Sequence, residues 1–202
     1  MSLNEILNIA KNNNGIITSA MVTKAGISRG SLHYLTNSGK LEKVSRGVYL
    51  LPEAFDDEML NYQARFKKGI YSLDTALYLN GLSDRTPHKF NMTFPYSYNL
   101  SNPKKEGILC SSVEKNIYEL GKIKIKTPMG NYVYCYNPER TLCDILKTKN
   151  KTDIQIITTA FKIYISTKNK NIPLLSEYAK KLKVEEKVRS YLEVLLWKMP
   201  CN

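Results

Sequence analysis

The part of this sequence that most restricts its fold is a short glycine-containing turn, residues 25–28, between two short helical patterns. The second pattern places Leu32 and Leu35 on one face, and Ile27 is expected to fill the gap between the two helices. Two helices joined by three or four residues that include glycine are typical of a helix-turn-helix. The caps predicted for these helices are Thr18 or Ser19 for the first and Ser28 for the second.

A longer helix precedes this pair and a hairpin follows it. Apolar residues at i, i+3, i+4 and i+7 predict an amphipathic first helix, which Ser2 and Glu5 can open as a capping box. Strands are expected over 41–44 and 48–51, joined by a turn in which Gly47 supplies a positive φ. The order helix, helix-turn-helix and hairpin predicts a winged helix-turn-helix domain over residues 1–52.

The remainder is predicted to be a linker helix over 53–68 and a mixed α/β domain over 69–202. Acidic residues open the linker helix and basic residues close it, which suits the helix dipole. Alternating or apolar runs predict strands, and three apolar stripes predict a helical bundle at the end. The fold class is therefore α+β. The strands are expected at 89–94, 107–112, 122–126 and 131–136. The apolar stripe of the first bundle helix is Ile154, Ile157, Phe161 and Ile165, and that of the second is Leu174, Leu175, Tyr178, Ala179 and Leu182. The stripe of the third is Val188, Tyr191, Leu192, Leu195 and Leu196.

The net charge is +12, with an isoelectric point near 9.4. Such an excess favours binding to polyanions, and nucleic acid above all. The alternative is a surface coated with lysine because the organism has a low GC content. The segment 1–52 is no more densely charged than the rest, so the pattern of residues, and not charge alone, indicates DNA binding there.

The third helix is predicted to be the recognition helix that contacts the bases of DNA. With Leu32 and Leu35 directed inward, the opposite face and the start of the helix point outward, and in a helix-turn-helix this face enters the major groove. Arg29 can form bidentate hydrogen bonds with guanine, and Asn37 can form them with adenine. The alternative is a solvated polar helix face. The residues predicted to face DNA here are Ser28, Arg29, Gly30, Ser31, His33, Tyr34 and Asn37.

The hairpin adds a second set of candidate DNA contacts. Arg46 lies at the predicted tip, where it can reach a phosphate or a minor groove. The candidate residues of the hairpin are Lys40, Lys43, Ser45 and Arg46.

Other functional classes find little support. The start of the chain lacks the pattern of a signal peptide and no apolar stretch is long enough to cross a bilayer, so a cytoplasmic protein is expected. The cysteines lack zinc spacing and are interpreted as reduced thiols: Cys110, Cys135, Cys143 and Cys201. Carboxylates are scattered and no phosphate-binding loop is present, so no catalysis, metal or cofactor is expected. A DNA-targeted nuclease or nucleotidyltransferase, with Glu139 or Asp144 in catalysis, and a protein-binding module remain as alternatives.

Two segments carry a resemblance to a known family. Residues 39–52, Gly-Lys-Leu-Glu-Lys-Val-Ser-Arg-Gly-Val-Tyr-Leu-Leu-Pro, follow the helix-turn-helix, and residues 71–82 open the second domain. The more discriminating segment is Asn-Pro-Glu-Arg-Thr-Leu-Cys-Asp at 137–144, which is close to the family motif Pro-Glu-Arg-Thr-x-x-Asp. Over nearly its whole length the chain resembles AbiEi-type antitoxins of type IV toxin–antitoxin systems. It departs from them at Asp74, where many relatives are expected to carry histidine.

The resemblance implies a two-domain antitoxin from an abortive-infection, phage-defence operon. Its winged helix would bind inverted repeats in its own promoter and repress transcription. Its second domain would counteract a nucleotidyltransferase-like toxin without a stable complex. The protein would be a monomer in solution, with two copies on double-stranded operator DNA and no contact with membranes. The motif residues carried over to this chain are Pro138, Glu139, Arg140, Thr141 and Asp144, of which Arg140 and Asp144 are also predicted to form an ion pair that joins the helix to the strands.

Overall fold

The computed structural model describes residues 2–197, without the side chains of residues 2, 196 and 197. The predicted cap at Ser2, the core position of Leu196 and the thiol of Cys201 therefore lie outside what is described. The chain divides into two compact units. The first comprises the residues up to Lys67 together with Lys126–Val133, and the second comprises Lys68–Ile125 and the residues from Tyr134 onward.

The first unit combines four helices with a small antiparallel sheet, in the strand order β1-β3-β2. Its side chains pack around the inner faces of the first three helices. The elements are α1 (Ser2–Lys11), β1 (Ile16–Thr18), α2 (Ser19–Lys24), α3 (Gly30–Asn37), β2 (Glu42–Ser45), β3 (Val48–Leu50) and α4 (Glu58–Arg65). The core contains Ile6, Ala10, Ile17, Val22, Leu32, Leu35, Leu41 and Leu51. The predicted order of helices and strands over 1–52 is thus present.

Local capping explains where the short helices begin. The hydroxyl of Thr18 accepts a hydrogen bond from the backbone N–H of Met21, at 3.2 Å, and caps α2 as predicted. Ser28 is not the cap residue of α3, because that helix begins two residues later. Its hydroxyl instead accepts from the N–H of Gly30, at 3.3 Å, and so stabilises the turn before the helix.

The second unit contains a mixed sheet and most of the helices. Its strands and first helices are β4 (Ile70–Tyr71), α5 (Leu73–Leu79), β5 (Asn91–Pro95), α6 (Ser101–Lys105), β6 (Leu109–Val113), α7 (Lys115–Tyr118), β7 (Lys122–Lys126) and β8 (Tyr132–Tyr136). The end of β7 and the start of β8 belong to the first unit. Four helices follow: α8 (Pro138–Ile145), α9 (Ile154–Ser166), α10 (Ile172–Lys181) and α11 (Glu185–Trp197). The sheet order is β6-β5-β4-β8-β7, with β5 parallel to β6 and β4 parallel to β8.

The buried carboxylate of Asp57 shows why the end of the β7–β8 hairpin belongs to the first unit. Asp57 caps α4 by accepting from the N–H of Leu60, at 3.1 Å. Its other oxygen accepts from the hydroxyl of Thr127 and from the amide of Asn131, the latter at 2.8 Å. The predicted linker helix thus begins at a carboxylate that also organises residues 126–133.

One prediction about the second unit is wrong in detail. Ile154, assigned to an apolar stripe, is 65 % exposed because it is the first residue of α9 and extends beyond the packed face. Among the described residues, no helix combines the length and the apolar character needed to span a bilayer.

Candidate nucleic-acid interface

The turn between α2 and α3 is closed by backbone hydrogen bonds. The N–H of Ala25 donates to the carbonyl of Met21, at 2.9 Å, and the N–H of Ile27 donates to that of Val22, at 3.0 Å. Gly26 has a φ of +73°, a conformation that glycine adopts without steric cost. Ile27 is half-buried and packs against the core, as the sequence predicts. The two helices are therefore held at a defined angle.

The outer face of α3 is accessible. Leu32 and Leu35 are buried, and residues at the helix start and on the opposite side are exposed, with Tyr34 at 59 %. Only Ser31 among the predicted DNA-facing residues of this segment is half-buried. The exposed members are Ser28, Arg29, Gly30, His33, Tyr34 and Asn37.

Arg29 is positioned by a residue of α2 that sequence analysis did not select. Its Nε donates to the hydroxyl of Thr23, at 2.9 Å. That hydroxyl donates in turn to the carbonyl of Ser19, at 2.8 Å. The stem of Arg29 is thus fixed across the turn, and its two terminal Nη groups remain able to donate. No sequence pattern pairs these positions, because the contact depends on the geometry of the turn.

His33 and Asn37 lie one turn apart on α3 and interact. The amide nitrogen of Asn37 lies 3.3 Å from Nε2 of His33, within hydrogen-bond distance. The side-chain oxygen of Asn37 remains free to accept. This arrangement orients the amide on the exposed face of the helix.

The β2–β3 hairpin is tied to the start of α2. The N–H of Ser19 donates to the carbonyl of Gly47, at 2.8 Å. Gly47 has a φ of +80°, and a Cβ there would lie 3.3 Å from the Ser19 hydroxyl, so a side chain is disfavoured for two reasons. The position of Arg46, beside Gly47 at the tip, is thereby coupled to the helix-turn-helix.

The hairpin presents basic side chains with no ion-pair partner among residues 2–197. Lys40, Lys43 and Arg46 are all exposed. Ser45 differs, because its hydroxyl oxygen is buried and has no hydrogen-bond partner in the described part of the chain. In this conformation Ser45 is not available for the direct contact that the sequence suggested.

The Pro-Glu-Arg-Thr motif at the start of α8 is almost entirely buried, and only Pro138 is half-exposed. Nε of Arg140 donates to Asp144, at 2.8 Å, as predicted. Its Nη1 donates to the carbonyls of Ile117 and Leu120, at 2.7 and 3.1 Å, so the ion pair joins the helix to the segment that leads into β7. The guanidinium also lies over the ring of Tyr136, 4.5 Å from its centroid.

The two carboxylates considered for catalysis have structural partners. Asp144 also accepts from Nζ of Lys147, at 2.6 Å, and Glu139 accepts from the hydroxyl of Tyr164, at 2.9 Å. Burial, followed by the hydrogen bond to Glu139, raises the pKa of Tyr164. In residues 2–197 no three His, Cys, Asp or Glu side chains are grouped as metal ligands. Burial raises the pKa of the Cys143 thiol to about 12.

Comparison with known proteins agrees with the N-terminal architecture. The model of a family described as transcriptional regulator, AbiEi antitoxin, matches residues 4–52. A crystal structure of the RV2827C protein from Mycobacterium tuberculosis is similar in fold, with a TM-score of 0.53 and 12 % identity, over 100 % of this chain and 83 % of that one. No protein of curated function matches the sequence. Residues 4–52, which include α2, α3 and the hairpin, are therefore similar to AbiEi-type antitoxins that regulate transcription.

Proposed function

We propose that this chain is a type IV antitoxin that represses its own operon by binding inverted repeats in double-stranded DNA. The observation that carries the proposal is the exposed outer face of α3 beside a basic hairpin that is hydrogen-bonded to the same helix-turn-helix. Two DNA-binding features are thereby held within one small unit.

The start of α3 enters the major groove in this proposal. The Nη groups of Arg29 donate to O6 and N7 of a guanine, while Thr23 holds Nε. Gly30 has no positive φ, and a Cβ there would meet only the Ser28 hydroxyl, at 3.5 Å, so the fold does not require glycine. The absence of a side chain there leaves room for DNA. His33, Tyr34 and Asn37 complete the contact, with Ser31 at its margin.

The hairpin acts as the wing. Arg46 at the tip reaches the backbone or the minor groove beside the repeat, and Lys40 and Lys43 contact phosphates. These contacts add affinity without sequence preference, because phosphate binding releases counterions at every sequence. Specificity therefore comes from α3, and the salt dependence comes largely from the wing.

The second unit supplies the antitoxin activity in this proposal. It counteracts a nucleotidyltransferase-like toxin in the cytoplasm, as part of phage defence, without forming a stable complex. Because the Pro-Glu-Arg-Thr motif is buried, its residues support α8 and do not themselves contact a target. The chain is a monomer in solution and places two copies on the operator, one on each repeat. It has no catalytic role.

Fluorescence anisotropy with fragments of the chain's own promoter tests the DNA-binding part. Arg29→Ala should weaken specific binding by about 1–3 kcal/mol and relax the base preference. Lys11→Ala removes one positive charge from the same unit, outside α3 and the hairpin, and should change the affinity much less. Equal losses in the two variants would contradict a specific role for Arg29.

The proposed wing contact has a separate signature. Arg46→Ala should weaken binding to operator and unrelated DNA alike, and it should flatten the dependence of log K on log salt by about one unit. An unchanged salt slope would contradict a phosphate contact at Arg46.

The antitoxin part is tested by co-expression with the adjacent toxin from an independent promoter. Arg29→Ala should weaken repression of a reporter while still rescuing growth. Loss of rescue in a folded Arg29→Ala protein would show that toxin neutralisation depends on DNA binding, and would contradict the proposed division of labour.

A further inference from the structure

The second unit contains a cavity of about 490 Å³ that the proposed function does not use. It is formed by the start of β5, the loop from α6 into β6, and the helical turn that follows α8. Its volume lies within the range of small-molecule sites, about 300–1,000 Å³.

The lining of this cavity is strongly basic. Lys89, Lys104 and Lys149 come from three separate segments and converge on it. None of the three has an ion-pair partner among residues 2–197, and the lining contains no aspartate or glutamate. Three like charges around one concavity repel one another unless an anion binds between them. The natural counterpart is a ligand with several negative charges, and a chain of phosphates supplies them.

The cavity offers a hydrogen-bond acceptor in addition to its lysines. Thr93 donates its hydroxyl proton to Ser72, at 3.0 Å, so the contact of 2.7 Å between Thr93 and Ser111 must be donated by Ser111. The Ser111 oxygen therefore presents lone pairs to the cavity that it lines. A phosphate ionised at neutral pH accepts hydrogen bonds, so a ligand group that donates to Ser111 would be a hydroxyl or amino group elsewhere in the ligand.

One wall of the cavity is apolar and partly strained. Leu109 is 49 % exposed although it lies in the sheet. Leu73 has a φ of +49°, a left-handed conformation that costs an L-residue about 1–2 kcal/mol. Strain of this kind clusters at binding sites. An apolar wall, a hydrogen-bond acceptor and a basic rim match the three parts of a nucleotide: base, sugar and phosphates.

We propose that this cavity binds a nucleotide, with its phosphates on Lys89, Lys104 and Lys149, its ribose or base donating to Ser111, and its base against Leu73 and Leu109. The site lies within the second unit and shares no residue with the proposed DNA interface. Its failure would therefore leave the repressor proposal intact.

Isothermal titration calorimetry of the full chain with ATP, GTP, CTP and UTP tests the proposal. At least one of the four should bind at one site per chain, about tenfold or more tighter than inorganic triphosphate. Lys104→Gln and Lys149→Gln should each weaken that binding about tenfold, the effect of losing one charge-assisted hydrogen bond. Lys168→Gln, an exposed lysine outside the cavity, should change it less than about twofold.

Ser111→Ala distinguishes the contact with the ribose or base from the contacts with the phosphates. It should weaken nucleotide binding and leave binding of inorganic triphosphate unchanged. Thermal unfolding and operator binding, both unaltered, would confirm that each variant is folded. No binding of any of the four nucleotides at millimolar concentration would overturn the proposal. So would an equal loss in Lys168→Gln, or glucose 6-phosphate binding as tightly as the best nucleotide.

Discussion

Replacing Arg140 tests whether the Pro-Glu-Arg-Thr motif is structural. Arg140 and Asp144 expose 1 % and 9 % of their side chains. Arg140→Met removes the charge but keeps a side chain that can fill part of the space. Asp144 then has only Lys147 as a charged partner, and the carbonyls of Ile117 and Leu120 lose the donor Nη1.

The expected loss of unfolding free energy is about 3–5 kcal/mol. Breaking a buried ion pair by removing one partner costs this much, because the remaining charge is left uncompensated. The contact of 2.6 Å between Asp144 and Lys147 moderates the electrostatic loss, while the two abandoned carbonyls add to it. Such a change is a large share of a typical stability of about 5–15 kcal/mol.

Urea unfolding followed by circular dichroism gives this free energy. The matched control is Lys180→Met, which breaks an exposed ion pair of 3.8 Å to Glu185 and should cost about 0.5 kcal/mol or less. An Arg140→Met protein within about 1 kcal/mol of wild type would refute the structural role. The motif would then have to be explained by a contact outside the chain.

Four further predictions follow from the site and the core. Thr23→Val removes the acceptor of Arg29 Nε and should weaken operator binding by about 0.5–1.5 kcal/mol with little change in stability, as measured by anisotropy and urea unfolding; unchanged affinity would show that Thr23 does not position Arg29. Gly30→Ala should leave the unfolding free energy unchanged or higher, because helices favour alanine, while weakening binding to the operator; tight binding would contradict a close approach there. Ser45→Ala removes a buried hydroxyl without a partner and should leave stability unchanged or raise it by up to about 1–3 kcal/mol, and a clear loss in thermal unfolding would reveal a missed partner. The folded-state pKa of Cys143 is raised to about 12 from an ordinary value of 9.0, so the unfolded chain loses this proton first and the contribution of Cys143 to stability falls as the pH rises from 9 to 12. Under reducing conditions, the free energy of urea unfolding should therefore fall less steeply with pH in Cys143→Ala than in the wild type, by up to about 1.4 kcal/mol per pH unit. Equal slopes in the two proteins would contradict the raised pKa.

Local patterns were sufficient to predict the N-terminal elements. The helical spacing of apolar residues predicted that Leu32 and Leu35 are buried, and the glycine-containing turn predicted the boundary between α2 and α3. Both depend on residues close together in the chain. The start of α3 was misplaced, because a serine hydroxyl can stabilise a turn as well as cap a helix.

Contacts between distant segments could not be predicted in this way. The bond from Asn131 to Asp57 spans 74 residues, and Asp57 was expected only to open a helix. The lysine-lined cavity likewise draws on three segments that no periodicity connects. The elements α6, α7 and β4 have two to five residues each, too few to show a clear period.

The position of Arg29 in the major groove is tested most directly by a mutant cycle between protein and DNA. The affinities of the wild-type protein and of Arg29→Ala are measured for operators in which each base pair of one repeat is replaced in turn. The account predicts one G·C pair whose replacement costs the wild type about 1–3 kcal/mol and costs Arg29→Ala almost nothing. Parallel profiles for the two proteins at every base pair would contradict it.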